Sequence, residues 1–203
     1  MWSTLDRPPG DGPGHARCPT SPSDDELPAP VRPLLRTRQT LEFSDAPLEP
    51  RLVDALVDVA RWSGSANNRQ PWRFVVVRDP DTIRRLAGSG LPHTVTLSTA
   101  QAAIAVVLPD DPERELVDAY DDGRVSERVL VAATLLGLGA AISWIRPDVL
   151  PVVRGILGLP EGLMVRTVLA LGHPAPDPGR PRNVEHRGRL PRSETVHEDK
   201  WRG

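Results

Sequence analysis

Two groups of residues stand where their types and spacing could do chemistry. The first is a pair of arginine couples, Arg36 and Arg38 in "LLRTRQTLEF" and Arg187 and Arg189 in "EHRGRLP". A guanidinium offers a planar fork of donors that matches a phosphate, so couples from distant parts of one chain suit a bound phosphate dianion. A solvated basic face would show the same R-x-R spacing and contribute little. Nucleic acid is a poorer fit, because no aromatic residues alternate with these charges. The second group is the connection "SGSANNRQPW", Ser63 to Trp72, whose hydroxyl and amide side chains can both donate and accept hydrogen bonds. Pro71 restricts its backbone, and Trp72 brings a large apolar surface that can anchor it.

Other chemistries lack their residues. No G-x-S-x-G elbow occurs, and the five histidines are scattered, without an H-x-x-x-H pair or a carboxylate cluster beside them. "GLGAAI", Gly137 to Ile142, is not a dinucleotide fingerprint, since Ile142 takes the third glycine position and a helix precedes it. It reads as a helix end followed by a tight turn. No catalytic side chain and no metal-ligand set is expected, and the chemistry falls to a borrowed organic group. A formal net charge of -2 over 203 residues offers no field to polyanions. The single cysteine, Cys18, excludes an intramolecular disulfide. No apolar run approaches the ~18 to 20 residues of a membrane span. The opening "MWSTLDRPPGDGPG" lacks the apolar core of a secretory leader. The expectation is a cytoplasmic protein acting on a small molecule, with no nucleic-acid or membrane partner.

These groups need elements to position them. Residues 1–33, dominated by "RPPGDGPGHARCPTSPSDDELPAPVRP", hold too little apolar surface to offset their ordering entropy. They read as a disordered tail, leaving residues 34–203 as one domain. "LEPRLVDALVDVARWSG" predicts an amphipathic helix with Leu52, Leu56 and Val59, together with Val53, Val57 and Ala60, inward, Arg51, Asp54, Asp58 and Arg61 outward, and Gly64 as its stop. "RFVVVRD" predicts a short buried strand, and "DPDTIRRLAG" a helix capped by Asp79 and ended by Gly88. "QAAIAVVLPDD" reads as a central strand and "VSERVLVAATLLGLGAA" as a buried helix. "DVLPVVRGILGLP" reads as a short helix disturbed at Pro151, and "MVRTVLALGHP" as a third strand. Interleaved helices and few strands give an α+β layer fold.

At "SGSANNRQPWRFVVV" the chain resembles the FMN-dependent nitroreductase family, whose pattern here is P-S-x-x-N-x-Q-P-W. Ser65, Asn68, Gln70, Pro71 and Trp72 match it, with Gly64 in place of the proline. "RTRQTLEFSDAPL" is similar to the family's opening R-R-S-x-R-x-F and D-x-P motif through Arg38, Phe43, Asp45 and Pro47, and departs from it at Thr37, Gln39 and Leu41. "LLGLGAAISWI", "LALGHPA" and "HRGRLPRSETVHEDKW" resemble its G-L-G turn, its L-x-L-G-x-P-A strand end and its closing K-x-R-x-P segment. The resemblance runs from Leu35 to Trp201.

The resemblance implies a mixed, mainly antiparallel sheet flanked by helices, in an intertwined homodimer with two flavin sites at its interface. It implies that Ser65, Ala66, Asn68 and Gln70 line the flavin's isoalloxazine edge and ribityl hydroxyls. Arg36 or Arg38, with Gln39, would hold the FMN phosphate, and Arg187 and Arg189 would close on it. Ala141, Ile142 and Ser143 would lie against the ring near N5, where a backbone N–H steadies the reduced form. The lysine or asparagine often found near the pyrimidine edge is missing from "SGLPHTVTLST", which leaves His93 or Thr94, and Leu41 makes the pocket less positive. The implied activity is hydride transfer from NADH or NADPH through FMN to a nitroaromatic, quinone or similar acceptor, in a ping-pong cycle. Alternatives within the same scaffold are a flavin store or sensor without turnover, and a specialised member such as a dehalogenase or flavin-cleaving enzyme. An adaptor using its proline-rich and basic tails is the alternative from another class.

Overall fold

The computed structural model of the chain describes residues 28–90, 92–176 and 190–201, without the side chains of residues 92–94. The chain divides into two units, residues 30–178 and the two terminal stretches 1–29 and 179–203. Most of the 1–33 segment, and Arg187 and Arg189, therefore lie outside the described residues. A helical turn, Ala29–Val31, and the short helix α1, Arg32–Arg36, open the described part.

Helix α2, Pro50–Arg61, carries a proline in its first turn, where a missing N–H breaks no hydrogen bond. Its buried stripe is Val53, Leu56 and Ala60, and Arg51, Asp54, Asp58 and Arg61 face water as their spacing requires. The helix stops at Arg61 rather than at Gly64, because the Trp62 N–H already closes its last turn. Strand β1, Arg73–Val77, follows the polar connection. Helix α3, Pro80–Ala87, has Asp79 as its cap, which accepts from the Thr82 N–H at 2.9 Å. A 3-10 segment, Pro92–Thr99, leads into strand β2, Ala102–Pro109.

Helix α4, Glu115–Leu135, begins ten residues before Val125, where the apolar pattern starts. Asp118, Asp121 and Asp122 are buried in its first half, and polar residues at core positions hide a helix from a hydrophobic-period reading. Nor is α4 buried all round, since Leu116, Tyr120, Glu127, Arg128 and Leu135 are exposed. Gly137 turns the chain with φ of 71°, and the following residues form an unanticipated strand β3, Gly139–Trp144. Helix α5, Leu150–Leu157, is not disturbed by Pro151, which sits in its first turn. Strand β4, Leu163–Gly172, closes the sheet, and the terminal unit holds one short helix among its described residues, α6, Arg192–Thr195.

The strand order is β1-β2-β4-β3, and every described pairing is antiparallel. β2 is central, as its continuous apolar run predicts, and β1 and β3 are the edges. Alternation along β2 sends Ala102, Ile104, Val106 and Leu108 to one face, against Val53, Leu56, Val125 and Val129 of α2 and α4. Ala103 and Ala105 go to the other face, with Ile83 and Leu86 of α3 and Val153 of α5. The result is a helix–sheet–helix sandwich with a core on each face of the sheet. Among the described residues no helix is long and apolar enough to cross a membrane.

Candidate functional site

Residues 37–44 form a strap along the outer edge of β3. The Thr40 N–H donates to the Ala140 carbonyl at 2.9 Å, and the Ile142 N–H donates to Gln39 Oε1 at 2.9 Å. Further on, the Ser44 N–H donates to the His173 carbonyl at 2.8 Å, and Phe43 forms a bridge with Pro174. Two glycines explain how the strap lies so close. Gly139 and Gly172 are register partners on β3 and β4. A Cβ on Gly139 would sit 2.5 Å from Thr40 Oγ1, and one on Gly172 would sit 2.9 Å from the Phe43 ring. The second glycine of the G-L-G turn and the glycine of "LALGHP" therefore seat a crossing segment.

The strap displays its chemistry outward. Arg36 ends α1 and is exposed; Arg38 is exposed, and its guanidinium donates to the Leu35 and Thr37 carbonyls at 2.5 and 2.8 Å. Gln39 touches β3 directly, so the structure brings Arg38, Gln39 and Ile142 into one neighbourhood. Ala141 and Ser143 have no exposed surface, because the pleat turns them into the core, and Ser143 Oγ pairs with Thr96 Oγ1 at 3.1 Å. Of the trio 141–143, only Ile142 keeps exposed surface, and its N–H is already held by Gln39. The side chains of His93 and Thr94 lie outside the described residues.

The polar connection sits elsewhere. Asn67, Asn68 and Gln70 adopt φ of 52°, 53° and 50°, a left-handed conformation that only locally hydrogen-bonded side chains tolerate well. Ser65 Oγ accepts from the Gln70 N–H at 2.8 Å, and the Gln70 amide donates to Asn68 Oδ1 at 3.2 Å. Trp72, 4% exposed, is packed in the core beside α2 and α4 and fixes the exit into β1. The Ala66 N–H points at the buried Asp121 carboxylate of α4. The result leaves the Asn67, Asn68 and Gln70 side chains exposed.

Strap and loop do not meet in one copy of the chain. They lie by opposite edges of the sheet, three strand spacings or about 14 Å apart. Along α4 the separation is larger: the loop rests near Asp121, whereas the strap rests beyond Leu135, fourteen residues or about 21 Å further along the helix.

Sequence reasoning missed the aspartates of α4. Asp121 holds the loop, and Asp122, 4% exposed, accepts from Thr167 Oγ1 at 2.7 Å across to β4. Burial pushes the Asp122 carboxyl up to about 6, with the Thr167 hydrogen bond and the Arg166 charge opposing the rise. The signal that could have found these residues is the acidic run "ELVDAYDD" itself, because acidic residues favour a helix N-terminal turn.

Comparison with known proteins converges on one group. The profile described as "Nitroreductase family" matches residues 36–91, which include the strap and the polar loop. A candidate NADH dehydrogenase/NAD(P)H nitroreductase of Archaeoglobus fulgidus is 29% identical over 148 residues, 70% of this chain and 83% of that protein. An NADPH-flavin oxidoreductase of Vibrio harveyi is 26% identical over 184 residues, 84% of this chain and 74% of that protein. The solved NADPH:FMN oxidoreductase of Vibrio harveyi, in complex with NAD+, superposes with a TM-score of 0.71 at 23% identity, covering 85% of this chain and 78% of that one. In its ordered motifs, its fold and these likenesses, the chain is similar to the nitroreductase family, whose profile matches its residues 36–91.

Proposed function

We propose that the protein is an FMN-dependent oxidoreductase that works as a homodimer and takes its electrons from NADH or NADPH. The observation that carries the reading is the split site. A strap bearing Arg36, Arg38 and Gln39 lies on one edge of the sheet, and a loop of outward-facing amides lies by the other. Two copies related by symmetry can bring one copy's strap to the other's loop, which one copy alone cannot do. The names of the relatives, an NADPH-flavin oxidoreductase and NAD(P)H nitroreductases, support the same cofactor and donor.

The residues fit the group. Exposed guanidiniums on the strap suit the FMN phosphate, with Arg187 and Arg189 of the closing segment proposed to join them. Ser65, Asn68 and Gln70 offer hydroxyl and amide groups to the flavin edge and ribityl chain, with the Ala66 backbone fixed between them. When bound, FMN supplies two-electron chemistry, hydride in from the nicotinamide and out to a nitroaromatic, quinone or similar acceptor. The chain's own share is orientation. Gln39 ties the strap to β3 at Ile142, and Trp72 locks the loop into the core, so neither segment must be ordered at the moment of binding. The donor and acceptor are proposed to use one site in turn.

The test is a visible spectrum of the purified protein. Added FMN should be retained through gel filtration, and anaerobic NADH or NADPH should bleach it, with colour returning on addition of a quinone or nitroaromatic. Protein that stays colourless with excess FMN would remove the reading. Retained colour that neither nicotinamide bleaches would leave binding without turnover.

A further inference from the structure

The loop that carries Asn68 and Gln70 holds an uncommon backbone. Three of its non-glycine residues, Asn67, Asn68 and Gln70, have positive φ. Such conformations persist only where the surroundings over-determine them. The internal bonds of the loop, Gln70 N–H to Ser65 Oγ and Asn68 N–H to the Ser65 carbonyl, shape the turn but do not attach it to the body of the protein.

The attachment in its middle comes from α4. Both carboxylate oxygens of Asp121 lie within reach of the Ala66 N–H, at 3.3 and 3.2 Å, and Asp121 is 2% exposed. Arg124, one turn further along α4, stands 3.5 Å from the same carboxylate. Its guanidinium lies over Gly64, where a Cβ would come within 2.2 Å of Nη2. Gly64 thus leaves the space through which Arg124 reaches the loop entrance, a space that a proline or alanine would fill. The carboxylate thus has a backbone donor and a cation beside it, both of which favour its charged form.

We propose that Asp121 is the positioning residue of this loop. By fixing the Ala66 amide it holds the left-handed turn and keeps the Asn68 and Gln70 side chains directed outward, toward the ligand. The step from loop geometry to flavin affinity rests on the function proposed above; the anchor itself does not. Asp121 touches no ligand, and its effect travels through the backbone.

The experiment has two arms. In flavin-free protein, amide exchange followed by NMR should show the Ala66 N–H slowed by at least about 100-fold relative to its unstructured rate, as expected of a buried, charge-assisted bond. Asp121→Ala should abolish that protection and weaken FMN binding by at least about tenfold, whereas Asp121→Asn, which keeps an acceptor oxygen, should stay within about threefold of wild type. Loss of Ala66 protection with the thermal midpoint of α2 and the sheet retained separates positioning from general destabilisation. An Ala66 amide that exchanges freely in the wild type would overturn the anchor, whether or not Asp121→Ala folds. FMN affinity unchanged in a folded Asp121→Ala would overturn the positioning role. Should wild-type protein bind no FMN at all, the functional reading fails, and the exchange arm still decides the anchor.

Discussion

Replacing Asp122 by asparagine should remove one source of pH dependence from the stability of the fold. The carboxylate is 4% exposed and accepts from Thr167 Oγ1 at 2.7 Å, and burial raises its pKa from 3.8 to about 6. In the unfolded chain the same carboxyl ionises near 3.8. Between these values the native state binds more proton than the unfolded state, so this group makes stability increase as pH falls through about 6 and level off below about 3.8. At neutral pH the buried charge is a cost. Each pKa unit is worth ~1.36 kcal/mol, which makes the full change about 3 kcal/mol. An amide has no proton to lose, and its carbonyl oxygen still accepts from Thr167. Urea unfolding of both proteins at a series of pH values should show their stability difference moving in favour of Asp122→Asn by about 3 kcal/mol between about pH 4 and pH 7. Taking the difference cancels every other titrating group. A pH-independent difference, or one that moves in favour of the wild type as pH rises, would refute the account of this carboxylate.

Two further outcomes follow from the strap. Gly139→Ala should cost about 1–3 kcal/mol by pressing a Cβ against Thr40. Adding Thr40→Gly should recover part of the loss in a thermal unfolding comparison, whereas no recovery would mean that the strap is not what the glycine accommodates. Arg38→Ala should weaken FMN binding by roughly 10- to 100-fold, the value of a charge-assisted contact, with little change in the unfolding midpoint of flavin-free protein. Fluorescence titration with FMN measures this effect, and an unchanged affinity would place the phosphate elsewhere.

Much of this protein was legible along the chain. The spacing of Val53, Leu56 and Ala60, the capping Asp79 and the all-apolar β2 each follow from local rules, because one apolar stripe or one cap has one structural solution. The polar loop and the arginine couple of the strap could also be picked out by residue type alone. Local pattern failed where partners come from afar. The first half of α4 is hidden from a hydrophobic-period reading because Asp118, Asp121 and Asp122 occupy core positions; Asp118 pairs locally with Arg114, but what makes Asp121 and Asp122 tolerable there is tertiary, the Ala66 N–H and the Thr167 hydroxyl. β3 has the local pattern of a turn because its strand character depends on β4 to one side and the strap to the other.

By itself, then, the order of residues determined the helices α2, α3 and α5, the strands β1, β2 and β4, and which segments carry hydrogen-bonding and cationic groups, since those properties are set within a few positions. Only the folded chain decided that strap and loop lie by opposite edges of one sheet, and that Gly139 and Gly172 serve packing. Both depend on strand order and register, which arise from pairings between residues far apart in the chain, such as Ala102 with Leu171, and on strap contacts such as Gln39 with Ile142.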